Sequence, residues 1–198
     1  MQAMRPAEDR ALGLIEVASI PRGVVAADAL IKEAVVTVLV ARPVDPARWV
    51  LLFEGEVEAV QRAAARAAER AGDRLVGRLE LAAPHPQLLS GLFELRQPEI
   101  DAVGLLETIN LADCLAALDR ALKAAEVELI ELRLAMGLFG HAFFSITGEV
   151  SSVEAALEAG RTLAEGRGGF HDASLIPNPD PLLVRHLLEP RSPFSPFP

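Results

Sequence analysis

Hydrophobic positions along this chain form short aliphatic runs, which alternate with longer Ala-rich stretches of helical periodicity. Short aliphatic runs are typical of strands, and apolar residues spaced as on one helix face are typical of amphipathic helices. The first part of the chain predicts strands at 11–17, 35–41, 50–53 and 75–82 and helices at 21–34 and 57–71. This β-α-β-β-α-β order predicts an antiparallel sheet with helices on one face, which is an α+β fold.

The second half of the chain repeats the same order of elements. It predicts strands at 102–108, 127–133, 142–147 and 170–176 and helices at 111–125 and 152–164. Asn110 has a side chain suited to cap the first of these helices, and 151–154 has the spacing of a capping box for the second. Each copy ends in a Pro-x-Pro segment and a short helix.

The two halves are also similar residue by residue. Between 11–42 and 102–133, 10 of 32 aligned positions are identical, whereas roughly three would match by chance in a chain of this composition. The offset is 91 residues up to Arg42 and 93 residues from Gly55 onward, so the second copy carries two extra residues in its middle. The chain is therefore an internal duplication.

The duplication sets the domain boundaries that we expect. The predicted junction between the copies is Gln97-Pro98-Glu99. The first domain is placed at 11–97 and the second at 98–188. The remaining residues, 189–198, are rich in proline and phenylalanine and predict an extended, flexible tail.

Composition and charge narrow the expected partners. Hydrophobic residues make up 51% of the 198 residues but aromatic residues only 5%, and mean hydropathy is +0.29. Such an aliphatic chain predicts apolar surface that is buried in assembly as well as in folding. The net charge of −9, from 19 basic and 28 acidic side chains, argues against nucleic acid and anionic membranes as partners.

Residues suited to catalysis or metal binding are few. Cys114 is the only cysteine, so neither an intrachain disulfide nor a cysteine zinc site is predicted, and a reducing cytoplasm fits best. The four histidines are scattered along the sequence, and such histidines are more often surface residues than ligands. The sequence therefore predicts no enzyme activity, no metal site and no cofactor.

Particular strings carry a resemblance to a known family. They lie at 11–16, 26–34 and 53–60 in the first copy and at 119–125 and 147–150 in the second. Together they resemble the BMC domain of bacterial microcompartment shell proteins, over 11–188 and in the unpermuted order. The resemblance implies two tandem ferredoxin-like BMC domains and a homotrimer that acts as a pseudohexamer. It also implies a structural tile of the microcompartment shell, inside the cytoplasm, that meets hexameric and pentameric shell proteins.

The resemblance assigns residues to the edge of the tile. The edge lysine of the family falls on Lys32 and on Lys123, which occupy the same position in the two copies. Taken alone, a lysine late in a helix is equally well explained as a solvated residue that the helix dipole favours. The edge arginine of the family is replaced by His85 and Asn178, so different contacts are expected there.

In this family the loop between the second and third strands lines a central pore. The corresponding residues are Pro43, Val44, Asp45, Pro46, Ala47 and Arg48 in the first copy and Ala135, Met136, Gly137, Leu138, Phe139, Gly140 and His141 in the second. Prolines stiffen the first loop, which would form a ring of Asp45 and Arg48 around the axis. The second loop, apolar and rich in glycine, would close a constriction or swing aside for metabolites. Without the resemblance, both segments are ordinary hairpin connections.

Two further points follow from the resemblance. Some tandem shell proteins hold an iron–sulfur cluster through a cysteine of the pore loop. Cys114 instead aligns with Gly23 in the first helix, so no cluster is expected and a small buried cysteine is the better interpretation. A second function also stays open, namely a soluble tandem α+β sensor that binds a small ligand between its halves.

Overall fold

The computed structural model describes residues 10–93 and 97–188. The tail predicted at 189–198 lies outside these described residues. The chain forms two compact units, which divide between Pro84 and His85. Each unit contains one four-stranded antiparallel sheet.

The first unit has the predicted order of strands and helices. Its elements are β1 (Arg10–Val17), α1 (Ile20–Glu33), β2 (Thr37–Val44), β3 (Arg48–Glu56), α2 (Val57–Ala71) and β4 (Leu75–Ala82). The strands lie in the order β2-β3-β1-β4, so that β2 and β4 form the edges. The buried face of α2 consists mainly of alanine, and these small side chains let the helix lie close to α1 and β1.

The second unit repeats this arrangement. Its elements are α3 (Pro86–Gly91), β5 (Ala102–Thr108), α4 (Leu111–Ala124), β6 (Glu128–Leu134), β7 (Ala142–Gly148), α5 (Val150–Arg167), β8 (Phe170–Ile176) and α6 (Pro181–Leu187). The strand order is β6-β7-β5-β8, so the predicted tandem α+β fold is confirmed. Across 10–93 and 97–188, the helices lack the combined length and apolar character that crossing a membrane requires.

The helix starts show which sequence signals were reliable. Asn110 caps α4 as predicted, because its Oδ1 accepts a hydrogen bond from the backbone N–H of Asp113 at 2.8 Å. The capping box predicted at 151–154 is wrong, since α5 begins at Val150 and its N-cap, Glu149, makes no side-chain capping bond. The Gly-Glu-Val string at this point also begins α2, so the duplication marks the start of α5 better than the local pattern does.

A glycine in the central strand of the first unit is required by the ring opposite it. Gly13 in β1 pairs directly with Phe53 in β3. A Cβ atom at Gly13 would lie 2.4 Å from Cζ and 2.5 Å from Cε2 of the Phe53 ring, which is fully buried. The ring therefore fills the space of the missing side chain, as aromatic residues do when they cover a glycine in a sheet.

The short helix α3 packs within the second unit, against α4 and β6, although its sequence follows the first copy. The Gln87 side chain joins it to β6, because its Nε2 donates to the carbonyl of Val127 at 3.0 Å. Its Oε1 also accepts from the backbone N–H of Leu129 at 2.9 Å. The compact units thus divide before α3, and the junction at 97–99 with its domain limits stays a prediction.

The two copies differ in how far their equivalent helices are buried. In α4, Leu115 and Leu122 are buried, whereas their counterparts in α1, Val24 and Ile31, are exposed. The helix α3 buries Leu88 fully, whereas each of the seven residues of its counterpart α6 is at least partly exposed. The contact of a short helix with the α4–β6 surface is therefore made once within the chain, by α3. The equivalent surfaces of α6 and of α1 are exposed.

Candidate functional site

The first predicted pore loop is a tight hairpin whose turn consists of residues 45–47. Pro43 and Val44 belong to β2 and Arg48 begins β3, so the loop predicted over 43–48 was too wide. Proline is tolerated at position 43 because β2 is an edge strand. Of the two charged residues in this loop, Asp45 lies in the exposed turn and Arg48 lies in β3.

The second predicted pore loop, Ala135 to His141, is confirmed as the connection between β6 and β7. Backbone hydrogen bonds hold it: the N–H of Leu138 donates to Ala135 at 2.8 Å, and the N–H of His141 donates to Leu138 at 3.0 Å. Two glycines in the loop have the positive φ angles that its turns require. The side chain of Phe139 is 83% exposed at the surface of the loop.

A glutamate lies beside each hairpin, at the same position of the two sheets. In the first unit Glu16 is fully buried and accepts from the Arg48 guanidinium at 2.6 Å. The sequence predicts Arg48 in a ring with Asp45 around the pore, whereas in the structure its guanidinium pairs with Glu16 of β1. In the second unit Glu107 lies 2.6 Å from Nδ1 of His141, and the glutamate side chain is 41% exposed. The glutamate therefore anchors the end of each hairpin, through arginine in one unit and histidine in the other.

A third side chain joins the pair in the second unit. The rings of His141 and His171 meet edge to face, with centroids 4.7 Å apart and an interplanar angle of 71°. Ligand atoms of Glu107, His141 and His171 all lie within 4.8 Å of one another. The sequence interpretation missed this cluster because the three residues are 30 or more positions apart and come from β5, the loop before β7, and β8.

The predicted edge lysines make the same contact in both units. Lys32 lies 2.7 Å from the carboxylate of Asp28, and Lys123 lies 2.6 Å from that of Asp119, in each case one helical turn earlier. These are the only two lysines in the sequence. Their matched positions and exposed side chains suit a repeated contact. The i,i+4 pair of Lys32 is exposed at both residues and stabilises its helix only slightly, whereas Asp119 of the second pair is buried.

The predicted equivalence of His85 and Asn178 is wrong. Leu12 pairs with Leu81 and its counterpart Val103 pairs with Ile176, so β4 and β8 are offset by 95 residues, and Asp180, the N-cap of α6, takes the place of His85. His85 caps α3 with its Nδ1, which accepts from the backbone N–H of Gln87 at 3.2 Å. Its own backbone N–H donates to Asp119 at 2.7 Å, so it lies among contacts of the second unit. Asn178 is exposed beyond the end of β8. Their predicted contacts with neighbouring tiles stay predictions.

The single cysteine is buried in α4, as predicted. Burial away from water raises the pKa of the Cys114 thiol far above its ordinary value, because the thiolate would lose its hydration there. The thiol therefore stays protonated, and a protonated thiol is a poor nucleophile and metal ligand.

We expect Cys114 of the native protein to resist a disulfide thiol reagent at pH 8. The same reagent should titrate one thiol per chain in urea, because unfolding restores both access and the ordinary pKa. The absorbance of the thiolate released from the reagent measures the rate of labelling of the native and of the unfolded protein. Rapid labelling of the native protein would contradict a buried, protonated thiol.

Both units match one protein-family model, that of the BMC domain, at residues 11–84 and 102–179. The chain belongs to the BMC-domain family. The BMC model starts at the first strand of each unit and spans the sheet and its two long helices. The duplication is thus two BMC domains in tandem, each in the unpermuted order that the sequence predicted.

This tandem BMC protein is similar to characterised shell proteins. It is 35% identical over 181 residues to the bacterial microcompartment shell protein PduT of Citrobacter freundii, covering 91% of this chain and 98% of that protein. It is 31% identical over 184 residues to the carboxysome assembly protein CcmO of Synechocystis sp., covering 85% of this chain and 61% of CcmO.

A solved structure shows the same fold over nearly the whole BMC protein. The crystal structure of a microcompartment protein from Desulfitobacterium hafniense DCB superposes with a TM-score of 0.79 at 38% identity, over 89% of this chain and 99% of that one. The chain is therefore a tandem BMC-domain shell protein. These relatives do not support the alternative of a small-ligand sensor.

Proposed function

We propose that this protein closes into a homotrimer that serves as a pseudohexameric tile in the shell of a bacterial microcompartment. The observation that carries the proposal is the contact between α3 and the α4–β6 surface, which each chain makes once. The surfaces that would form the equivalent second contact are exposed. The open surfaces are α6 on one side and the exposed face of α1 with β2 on the other. The second copy of the contact would form between chains.

The residues at both surfaces fit this pairing. Leu183, the third residue of α6, takes the place of Leu88, the third residue of α3. Leu88 is fully buried, whereas Leu183 is 39% exposed. On the receiving side, Ile31 of α1 is 57% exposed where the equivalent Leu122 is buried. Joining the two would remove apolar surface from water at both sites. A similar polar contact is available, because Asp28 of α1 corresponds to the Asp119 that accepts from the backbone N–H of His85. Asp180, the N-cap of α6, takes the place of His85, the N-cap of α3, so its backbone N–H could donate to Asp28.

Such a contact joins two different surfaces, so it is heterologous and must close into a ring to satisfy every chain. Three chains of two BMC domains give six similar lobes, which supports a ring that can tile with hexameric shell proteins. Native mass spectrometry tests the proposal: we expect a mass three times the 21.2 kDa of one chain. A stable monomer at micromolar concentration would overturn it.

In this assembly the two hairpins would surround the axis and form the pore for metabolites. Support comes from their equivalent positions between the second and third strands of each unit. The apolar, exposed Phe139 suits a constriction, and Asp45 suits a charged ring in place of the predicted Asp45–Arg48 ring. Cryo-electron microscopy of the trimer tests this arrangement, which fails if the hairpins lie at the rim. If the second loop gates the pore, we expect these images to show it in two conformations. A single conformation in all images would contradict gating.

The edge lysines would join neighbouring tiles. We expect the concentrated wild-type protein to form extended sheets, and the double variant Lys32→Ala, Lys123→Ala to keep the trimer mass but to form none. The reason is that each exposed ammonium group would donate to backbone carbonyls across the tile edge. Negative-stain electron microscopy measures sheet formation. Arg161→Ala removes a comparable exposed cation from α5 and serves as the control. Sheets of normal size in the double variant would contradict the role of the lysines.

A further inference from the structure

The cluster of Glu107, His141 and His171 has the composition of a metal site. Its two imidazoles and one carboxylate lie with their ligand atoms within 4.8 Å of one another. Each comes from or directly adjoins a strand of the same antiparallel sheet, so the backbone holds all three. Glu107 and His141 keep 41% and 32% of their side chains exposed, and His171 is exposed, which leaves the cluster open to solvent.

An irregularity in the sheet brings the third residue to this place. The β5–β8 pairing runs from Glu107 opposite Asp172 to Thr108 opposite Phe170, so His171 is left over between them. Such a bulge turns a side chain away from the regular alternation of a strand. The first unit has the same irregularity, in which Val76 takes the place of His171.

The first unit therefore provides an internal comparison. At the same three positions it has Glu16, Arg48 and Val76, and Arg48 forms an ion pair with Glu16. Arginine stays protonated and has no lone pair for a metal, and valine has no donor atom. The same site of the fold therefore holds an ion pair in the first unit and three potential metal ligands in the second unit.

We propose that Glu107, His141 and His171 bind one divalent first-row transition metal ion, and zinc is the member of the class used to test the site. Zinc accepts imidazole nitrogen at about 2.0–2.1 Å and carboxylate oxygen at about 2.0–2.2 Å, in a set of two histidines and one glutamate. Ligand atoms in such a set lie about 3–3.5 Å apart, so small side-chain rotations suffice to enclose the ion. The carboxylate offsets one of the two positive charges.

Three protein ligands leave a tetrahedral position for water or for a small anionic ligand. Magnesium and calcium do not fit, because they prefer sets made of oxygen. The ion would fasten His141, the last residue of the second loop, to β5 and β8. This inference does not depend on the trimer or on the pore, because all three ligands belong to one unit of one chain.

Isothermal titration of the untagged full-length protein with zinc chloride tests the inference. We expect one zinc ion per chain with micromolar or tighter affinity. His171→Val and His141→Arg should each weaken binding by at least about tenfold, because each removes a ligand. These variants introduce the residues that the first unit has at the equivalent positions, so both should fold. His186→Asn, on α6, should bind as the wild type does.

X-ray absorption of the zinc-loaded protein gives a second readout, in which we expect two imidazole ligands in the first coordination sphere. Absence of zinc binding by the wild type, or undiminished binding by His171→Val, would overturn the inference. Native mass spectrometry of the same samples reports the trimer separately. A trimer without zinc would refute the metal site alone, and zinc bound to a monomer would refute the trimer alone.

Discussion

Leu183→Asp is expected to abolish the trimer and to leave a folded monomer. The proposed contact buries this side chain against the α1–β2 surface of the next chain, and a buried leucine contributes about 1.5–3 kcal/mol. The aspartate would also place an unpaired carboxylate in an apolar contact, which adds to the loss. Because a closed trimer contains the contact three times, the combined effect should exceed what the ring can tolerate. Native mass spectrometry should show a single mass near 21.2 kDa.

Two further variants make this result interpretable. Ile31→Asp changes the opposite side of the same contact, on an exposed residue of α1, and should also give a monomer. Leu88→Asp makes the matching change in α3, where the leucine is buried within the chain, and should instead lower the Tm of the protomer. Circular dichroism distinguishes the two effects. A trimer that survives both Leu183→Asp and Ile31→Asp would refute the proposed contact.

Gly13→Ala is expected to destabilise the protein by about 2–3 kcal/mol. The new methyl group would overlap the Phe53 ring, and overpacking of a buried site forces side chains and backbone to shift. Urea denaturation measures the free energy of unfolding. Gly166→Ala is the matched control, because a Cβ at that exposed helical position meets nothing within 4 Å and should be neutral or slightly stabilising.

The ring itself can be tested by a double-mutant cycle. Phe53→Leu removes the Cζ and Cε atoms that the new methyl group would overlap. In that background Gly13→Ala should cost at least about 1 kcal/mol less than it does in the wild type, because contacting residues show coupling energies of this size. Equal costs in the two backgrounds would mean that the Phe53 ring is not what requires glycine at position 13.

Much of the fold could be predicted because the duplication gave each element two independent signals. The bounds of α2, β4, β5 and β8 agree with the prediction. In such long periodic or aliphatic segments, the hydrophobic pattern indicates directly which residues are buried. The limits of β2 and the start of α5 were wrong for local reasons. Strand pairing with β3 carried β2 through Pro43, and the helix began before its best capping residues.

The candidate site divides along similar lines. The position of both hairpins, the matched lysines and the buried Cys114 could be inferred from the sequence, because each depends on an offset between the copies or on the character of one residue. The ion pair of Arg48 with Glu16 could not, since opposite charges on separate strands carry no local pattern. The packing of α3 on the second unit was also hidden, because its sequence closely follows the first copy.

The sequence by itself determined that this protein has two copies of one α+β unit and which elements compose them, because hydrophobic periodicity and repetition are properties of the chain. Only the tertiary structure decided what the two copies do differently. Pairing of distant strands places His171 beside Glu107 and His141, whereas the same pairing gives the first unit a glutamate–arginine pair. Contacts between residues far apart in sequence depend on register, bulges and packing, and these are fixed only when the sheet has formed.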